Sequence, residues 1–331
     1  MKLLLLNQRE VVLMSEEIYE IAILGRAIWQ LHSLNNEGTV GNVTEPRSVR
    51  IIDPNTKKAV TTDGISGEML KHIHTEIIWT LDNKDNLCDA CKVLNPEKFN
   101  FAIKTKKITT KDVEDALEQA LKTCDICDIQ GFLLERPTAS RKSTIEFGWA
   151  LGIPEVYRDI HTHARHALGE KGRGSRNQEE EGETEGISTQ MVYHRPTRSG
   201  VYAVISVFQP WRVGLNEARQ SKYTYDVDDP IRERRYKLAL KAYQILFARP
   251  EGAMTTTRLP HVEDFSGVIV YSTKPMPVPV ISPLKDGYVK EIKTISESID
   301  ASIKVMEFDN IADFATKISG LSDNKPYKME V

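Results

Sequence analysis

At 331 residues, with 40% hydrophobic and 27% charged positions, the chain has the make-up of an ordinary folded protein of about two domains. A net charge of −3 excludes nucleic-acid binding by bulk charge, so binding of that kind requires a local basic groove. No apolar run approaches the ~20 residues of a membrane span, and the leucines of "MKLLLL" fall short of a signal peptide's apolar region. The expectation is a cytoplasmic protein with no membrane partner, with Met14 as an alternative start.

Residues 18–31 are apolar and partly alternating, with Ile21, Ile23, Ala27 and Trp29 on one side. They predict a long, largely buried strand. "HSLNNEGTVGNVTEPRSVRI" follows and, with three Asn, two Gly and Pro46, predicts a long irregular loop. Gly38 and Gly41 would let backbone N–H groups approach a phosphate. Neither the P-loop nor the dinucleotide-binding spacing is present, so a plain surface loop is the alternative. Over 64–81, Met69, Leu70, Ile73, Ile77 and Ile78 recur at helical spacing behind Ser66, a candidate N-cap.

All four cysteines fall in two Cys-x-x-Cys pairs, Cys88/Cys91 and Cys124/Cys127, with 32 residues between the pairs. Two such pairs are the usual ligand set of a tetrahedral four-thiolate zinc site. A closed, structural zinc is the expectation, and it sets residues 85–130 apart as a unit. A catalytic zinc keeps an open position and draws more often on His or carboxylate ligands. Two disulfides or a redox pair need an oxidising compartment. Between the pairs, "TTKDVEDALEQALKT" predicts an amphipathic helix capped by Thr109 or Thr110, with Val113, Leu117 and Leu121 on one face.

Residues 131–155 predict a short strand, a basic turn and a strand over 143–151. Residues 156–187 predict an excursion that ends in a mobile loop, since 172–186 hold the acidic run 179–185 and almost nothing apolar. Residues 188–210 predict strand, turn, strand, the second with Val201, Ala203, Ile205 and Val207 in alternation. A helix over 229–248, a strand over 265–273 and a short helix over 311–321 complete the pattern. Strand, helix, strand, strand, helix, strand is the order of the ferredoxin-like fold, an α+β architecture on which the cysteine segment and the 156–187 excursion would be insertions.

Three basic turns stand beside strands: Arg136, Arg141 and Lys142; Arg195 and Arg198; and Arg258. Arginine pairs with phosphate through two parallel hydrogen bonds and stacks on bases, so shared placement at strand turns suggests one groove, with solvated surface turns as the alternative. His161, His163 and His166 have metal-ligand spacing, with a solvated or RNA-facing segment as the alternative. No nucleophile elbow and no His-Glu-x-x-His motif is present, and no catalytic set stands out.

The segments "LHSLNNEGTVGN…EPRSVRI", "DGISGEMLKHIH", "CDICDIQGFLL…SRKSTIEFGWALGIPE" and "RLPHVEDFSGVIVYS", in this order over roughly 18–275, resemble the CRISPR-associated DevR-type autoregulator family. The resemblance implies a backbone subunit of a type I Cascade interference complex. It would have a modified RNA-recognition-motif palm, a helical fingers insertion and a thumb hairpin, and copies would stack head to tail along the CRISPR RNA. The palm would comprise 15–81, 131–155 and 199–331, the fingers 82–130 and the thumb 156–198. Asn35, Gly38, Gly41, Asn42, Arg47, Lys71 and His74 would face the RNA, joined by Arg136, Arg141 and Lys142. Partners would be the CRISPR RNA, target DNA through the guide, further copies of the chain and other Cascade subunits, with no catalysis. A guide must be held without being read, which calls for backbone contacts rather than a base code. Two other readings stand beside this one. The first is a repeat-RNA endoribonuclease using His161 or His194 as general acid or base. The second is a DNA-binding regulator.

Overall fold

The computed structural model describes residues 15–105, 107–167, 189–219, 222 and 224–330. The alternative start Met14, the expected mobile loop 172–186 with its acidic run, and the side chain of His166 lie outside the described residues.

After a two-residue strand, β1 (Glu17–Ile18), comes β2 (Glu20–His32). β2 is buried on both faces over most of its length, which is why its sequence is a near-continuous apolar run. The stretch expected as an irregular loop is instead two hairpins. The first pairs β3 (Asn36–Val40) with β4 (Val43–Pro46), and the second pairs β5 (Ser48–Ile52) with β6 (Ala59–Ile65). Gly41 turns the first hairpin at φ +60, and Gly-Asn between two β-prone runs is the signal that marks such a turn.

Helix α1 (Gly67–Leu81) begins as expected, with the Ser66 hydroxyl accepting from Met69 N at 3.2 Å. The cysteine segment holds α2 (Asp89–Lys92), α3 (Phe99–Lys104), α4 (Val113–Thr123) and α5 (Asp125–Gln130). The cap of α4 is Asp112, which accepts from Asp115 N at 2.9 Å, in place of Thr109 or Thr110. Aspartate is an equally good cap and stands directly before the first apolar position of the repeat.

A local hairpin of β7 (Phe132–Glu135) and β8 (Thr138–Arg141) follows, then β9 (Ile145–Phe147) and β10 (Ala150–Gly152), separated by Gly148 and Trp149. Next come β11 (Tyr157–Ala167) and β12 (Thr189–Phe208). β12 is one continuous strand where strand, turn, strand was expected. Pro196 lies opposite Ile160, and a bulge between Arg198 and Gly200 takes up the turn-forming residues as the strand shifts its pairing from β11 to β2. The rest of the chain adds β13 (Leu215–Asn216), β14 (Thr224–Tyr225), α6 (Asp229–Ala248), β15 (His261–Ser272), α7 (Tyr288–Ile299), β16 (Ile303–Phe308), α8 (Ile311–Leu321) and β17 (Lys325–Pro326). β17 pairs in parallel with β1. α7 and β16 were not anticipated from the sequence.

The main sheet runs β16-β15-β2-β12-β10-β6-β5 and is largely antiparallel, with β9 also on β12. Counting β2, β9/β10, β12 and β15 as first to fourth, their spatial order is fourth, first, third, second. One hydrophobic core joins the sheet face bearing Ile21 and Ile23 to α1, α6 and α8, and it extends through all four cysteines. A second core, under α7, covers the opposite face at Ala22, Leu24, Val268 and Val270.

Candidate metal centre and nucleic-acid interface

The four cysteines converge. Cys88 caps α2 and Cys124 caps α5, so each pair lies on the first turn of a short helix. The ligand atoms all lie within 4.8 Å of one another and all four residues are buried. Cys127 Sγ stands 3.9 Å from Cys88 Sγ and 3.7 Å from Cys91 Sγ. A disulfide would require about 2.05 Å. A tetrahedron with metal–sulfur bonds of about 2.3 Å has edges of about 3.8 Å, so the donors fit one four-coordinate ion. Hydrogen bonds from its neighbours, Cys124 foremost, hold the Cys88 thiol far below its usual pKa, whereas Cys91 is pushed up by its bond with Cys124 and Cys127 by burial. A divalent cation removes that conflict by taking all four as thiolates. Lys98 Nζ donates to Gly131 O at 2.6 Å and Gln130 O at 3.3 Å, at the end of the helix that carries Cys127. Burial lowers the pKa of Lys98, and the four sulfurs oppose that shift.

α5 faces two ways. Its cysteine side closes the thiol cluster, and its carboxylates enter a buried ion lattice. Asp128 accepts from Arg141 Nη2 and Arg235 Nη1, both at 2.8 Å, and from Gly214 N at 2.9 Å. Asp125 accepts from Arg235 Nε at 2.7 Å, and Glu217 pairs with Arg141 at 2.9 Å and Arg212 at 2.6 Å.

This lattice corrects the expectation for Arg141, which is 2% exposed and whose two terminal nitrogens are both bonded within the protein. The same correction applies to His74, Arg198 and Asn35. His74 Nε2 donates to Ala239 O at 3.1 Å and its Nδ1 accepts from Gln130 Nε2 at 2.8 Å. Burial lowers its pKa to about 3. Arg198 is 1% exposed, donates to Asn35 O at 2.7 Å and stands 3.5 Å from Asp63, which also accepts from Tyr202 OH at 3.0 Å. The Asn35 side chain accepts from Ser66 N at 2.9 Å and so positions the start of α1. A buried charge is costly unless paired, and the fold sets Asp128 and Glu217 against Arg141 and Asp63 against Arg198. These four residues support the surface from below.

The remaining expected residues are at least partly exposed, and most of them join one strip. Asn42, in the turn of the β3–β4 hairpin with Gly38 and Gly41 nearby, donates through Nδ2 to Val192 O at 3.2 Å and accepts from His194 N at 2.8 Å. Arg195 Nη1 reaches Thr44 Oγ1 at 3.4 Å, and its guanidinium lies 5.2 Å from the centroid of Tyr193. Tyr193 stacks on His163 at 5.3 Å, and His163 Nε2 accepts from Arg258 Nη2 at 3.0 Å. Burial, then the charge of Arg195, lowers the pKa of Arg258. Two guanidinium groups are thus held close together with no carboxylate bonded to either among the described residues. On the other side of the hairpin, Arg47 pairs with Glu37 at 3.1 Å and lies 5.7 Å from the ring of Trp149. Beyond Trp149, Lys71 and Lys142 line one cleft with Glu68 and Glu146. Burial, then Lys98, lowers the pKa of Lys71 to about 8. Arg136 stands apart from this strip, on the β7–β8 turn beside Thr109 and Lys111.

Residues 23–293 match the family model described as "CRISPR-associated negative auto-regulator DevR/Csa2". The chain belongs to the DevR/Csa2 family. A comparison with curated proteins finds no match. Two solved structures are similar in course. One is a "CRISPR RNA-guided surveillance complex, pre-nicking", at 11% identity over 94% of this chain and 96% of that one, with a TM-score of 0.49. The other is a "CRISPR RNA-guided surveillance complex", at 9% identity over 92% and 98%, with a TM-score of 0.47.

In this DevR/Csa2 chain the sequence did not single out two aromatic members of the strip, Trp149 and Tyr193, while His163 stood in the histidine tract. The available signal for the first was a tryptophan directly after Gly148 in a short break between two apolar stretches. No helix among the described residues is long and apolar enough to cross a membrane.

Proposed function

We propose that the chain is a CRISPR RNA-binding backbone subunit of a type I Cascade complex, non-catalytic, with one structural zinc held by Cys88, Cys91, Cys124 and Cys127. The observation that carries the RNA reading is the strip from Lys71 and Lys142 through Arg47 and the β3–β4 hairpin to Arg195 and Arg258. Arg195 and Arg258, with no carboxylate bonded to either among the described residues, and the aromatic rings along the strip suit a single-stranded backbone. At the other end Lys142 pairs with Glu146. The sheet with strand order fourth, first, third, second, backed by α1 and α6, supports the assignment of an RNA-recognition-motif-like palm. In that assignment the long β11–β12 hairpin is the thumb and the cysteine segment the fingers. Further copies would stack head to tail along the guide, an open heterologous arrangement, beside other Cascade subunits, and target DNA would reach the complex by pairing with the guide.

Zinc, when bound, cross-links the two cysteine pairs and does no chemistry on RNA. The endoribonuclease reading would use His161 or His194 alone, and each is bonded within the hairpin, His161 Nε2 to Thr197 Oγ1 at 2.9 Å and His194 Nδ1 to Thr162 Oγ1 at 3.0 Å.

The test is to purify the protein with its nucleic acid and to measure binding of the pure chain to CRISPR RNA and to promoter duplex. The expected result is CRISPR RNA in the preparation and salt-dependent binding of unrelated guide sequences with similar affinity. Sequence-specific binding of duplex only, or cleavage of repeat RNA, would overturn it.

A further inference from the structure

Trp149 is 36% exposed, whereas Trp29 is 1% exposed. It occupies the two-residue connection between β9 and β10, and that connection is fixed rather than free. Gly148 N donates to Ile205 O at 3.0 Å, tying the connection to β12. One side of the indole rests on the backbone of Gly64, where an added Cβ would stand 3.0 Å from Trp149 Cε3. Gly64 N in turn donates to Arg47 O at 3.1 Å. The Arg47 guanidinium lies 5.7 Å from the indole centroid and is held by Glu37. A partly exposed indole, fixed by backbone on one side and accompanied by a guanidinium that Glu37 holds in place, is an arrangement that takes a flat base on the ring.

We infer that Trp149 and Arg47 form a nucleotide shelf at the middle of the strip, with a base of the bound single-stranded RNA stacked on the indole. The inference rests on the RNA-binding reading above. It adds a contact made to a base face without reading the base's identity, because every base has a π face. A guide subunit tolerates such a contact, since its sequence must stay free to vary.

The experiment compares the wild-type chain, Trp149→Leu and Trp149→Phe. Leucine keeps bulk over Gly64 but has no π face, and phenylalanine keeps one. Each is titrated with a single-stranded RNA and with the same backbone carrying abasic nucleotides, at several salt concentrations. The shelf predicts that Trp149→Leu binds the RNA about tenfold more weakly, with the wild-type salt slope, and that Trp149→Phe recovers most of the loss. On the abasic backbone the three proteins should bind alike. Equal RNA binding by the wild type and Trp149→Leu, or an equal loss on both ligands, would overturn the shelf and leave the RNA reading standing. Failure of the wild type to bind either ligand would overturn the RNA reading, and the shelf with it.

Discussion

The α5 region and the Arg195–Arg258 pair beside the β11–β12 hairpin use arginine in opposite ways. Around α5, Arg141, Arg212 and Arg235 are buried, and Asp125, Asp128 and Glu217 answer them within hydrogen-bond distance. At the hairpin, Arg195 and Arg258 are half-buried beside rings and hydroxyls, and their nearest bonded partners are Thr44, Met254, Thr257 and His163. What separates a structural arginine from one available to a ligand is the number of carboxylates folded against it. The first region spends its charge on itself, and the second leaves it for a partner.

The largest effect should come from the proposed zinc site. Stripping the ion with a chelator, or Cys124→Ser, is expected to lower the unfolding midpoint sharply and to reduce solubility. A structural zinc is worth on the order of 10 kcal/mol to small domains that depend on it, and this cluster lies inside the main core. Elemental analysis should find about one zinc per chain. Metal-free protein with an unchanged melting curve would reduce the cluster to four packed thiols.

Next in size is the ion lattice. Asp128→Ala leaves Arg141 and Arg235 without a shared counter-charge, and breaking a buried pair costs about 3–5 kcal/mol. Urea unfolding reads this directly. A loss below about 1 kcal/mol would show that water enters the lattice and that the two regions differ less than their geometry implies.

His74 gives a pH-dependent term. Its folded pKa is about 3, against about 6.5 when unfolded. Above about pH 6.5 neither state binds the proton and the term vanishes. As the pH falls from there towards 3, the unfolded chain takes a proton that the folded chain refuses, so stability declines, by a few kcal/mol at the low end. His74→Gln should flatten that part of the profile relative to the wild type. Parallel profiles would place the imidazole in contact with water.

The smallest effect on stability, and the one that sharpens the comparison most, is expected for Arg195→Ala. Folding should change by no more than about 0.5 kcal/mol. RNA affinity should fall by a similar factor for unrelated sequences, with the salt slope reduced by about one. If Arg195→Ala instead unfolds the protein and leaves RNA binding intact, the hairpin arginines belong with those around α5.

Much of the helical framework was legible in the sequence. Ser66 before Met69 and Leu70 marked α1, and apolar spacing marked α6 and α8. These signals lie within one turn of the element they specify, so they survive without knowledge of the rest of the fold. The Gly41–Asn42 turn is also local, but the polar residues around it give the whole stretch the composition of a loop. Pro196 and Gly200 misled in the other direction. They favour a turn locally, yet β12 stays extended because β11 and β2 pair with it on successive stretches.

By itself the sequence determined the thiol cluster, because two Cys-x-x-Cys turns have few uses apart from binding one ion and the spacing within each pair is fixed by a single helical turn. It also determined which residues were basic. Only the tertiary structure decided which of those bases face outward. Arg141 meets Asp128 from thirteen residues away, and then Glu217 and the carbonyls of Arg212 and Leu215 from across the fold. Arg195 meets no carboxylate at all among the described residues. Burial and pairing of charge are properties of distant segments brought together, and one-dimensional spacing carries no information about them.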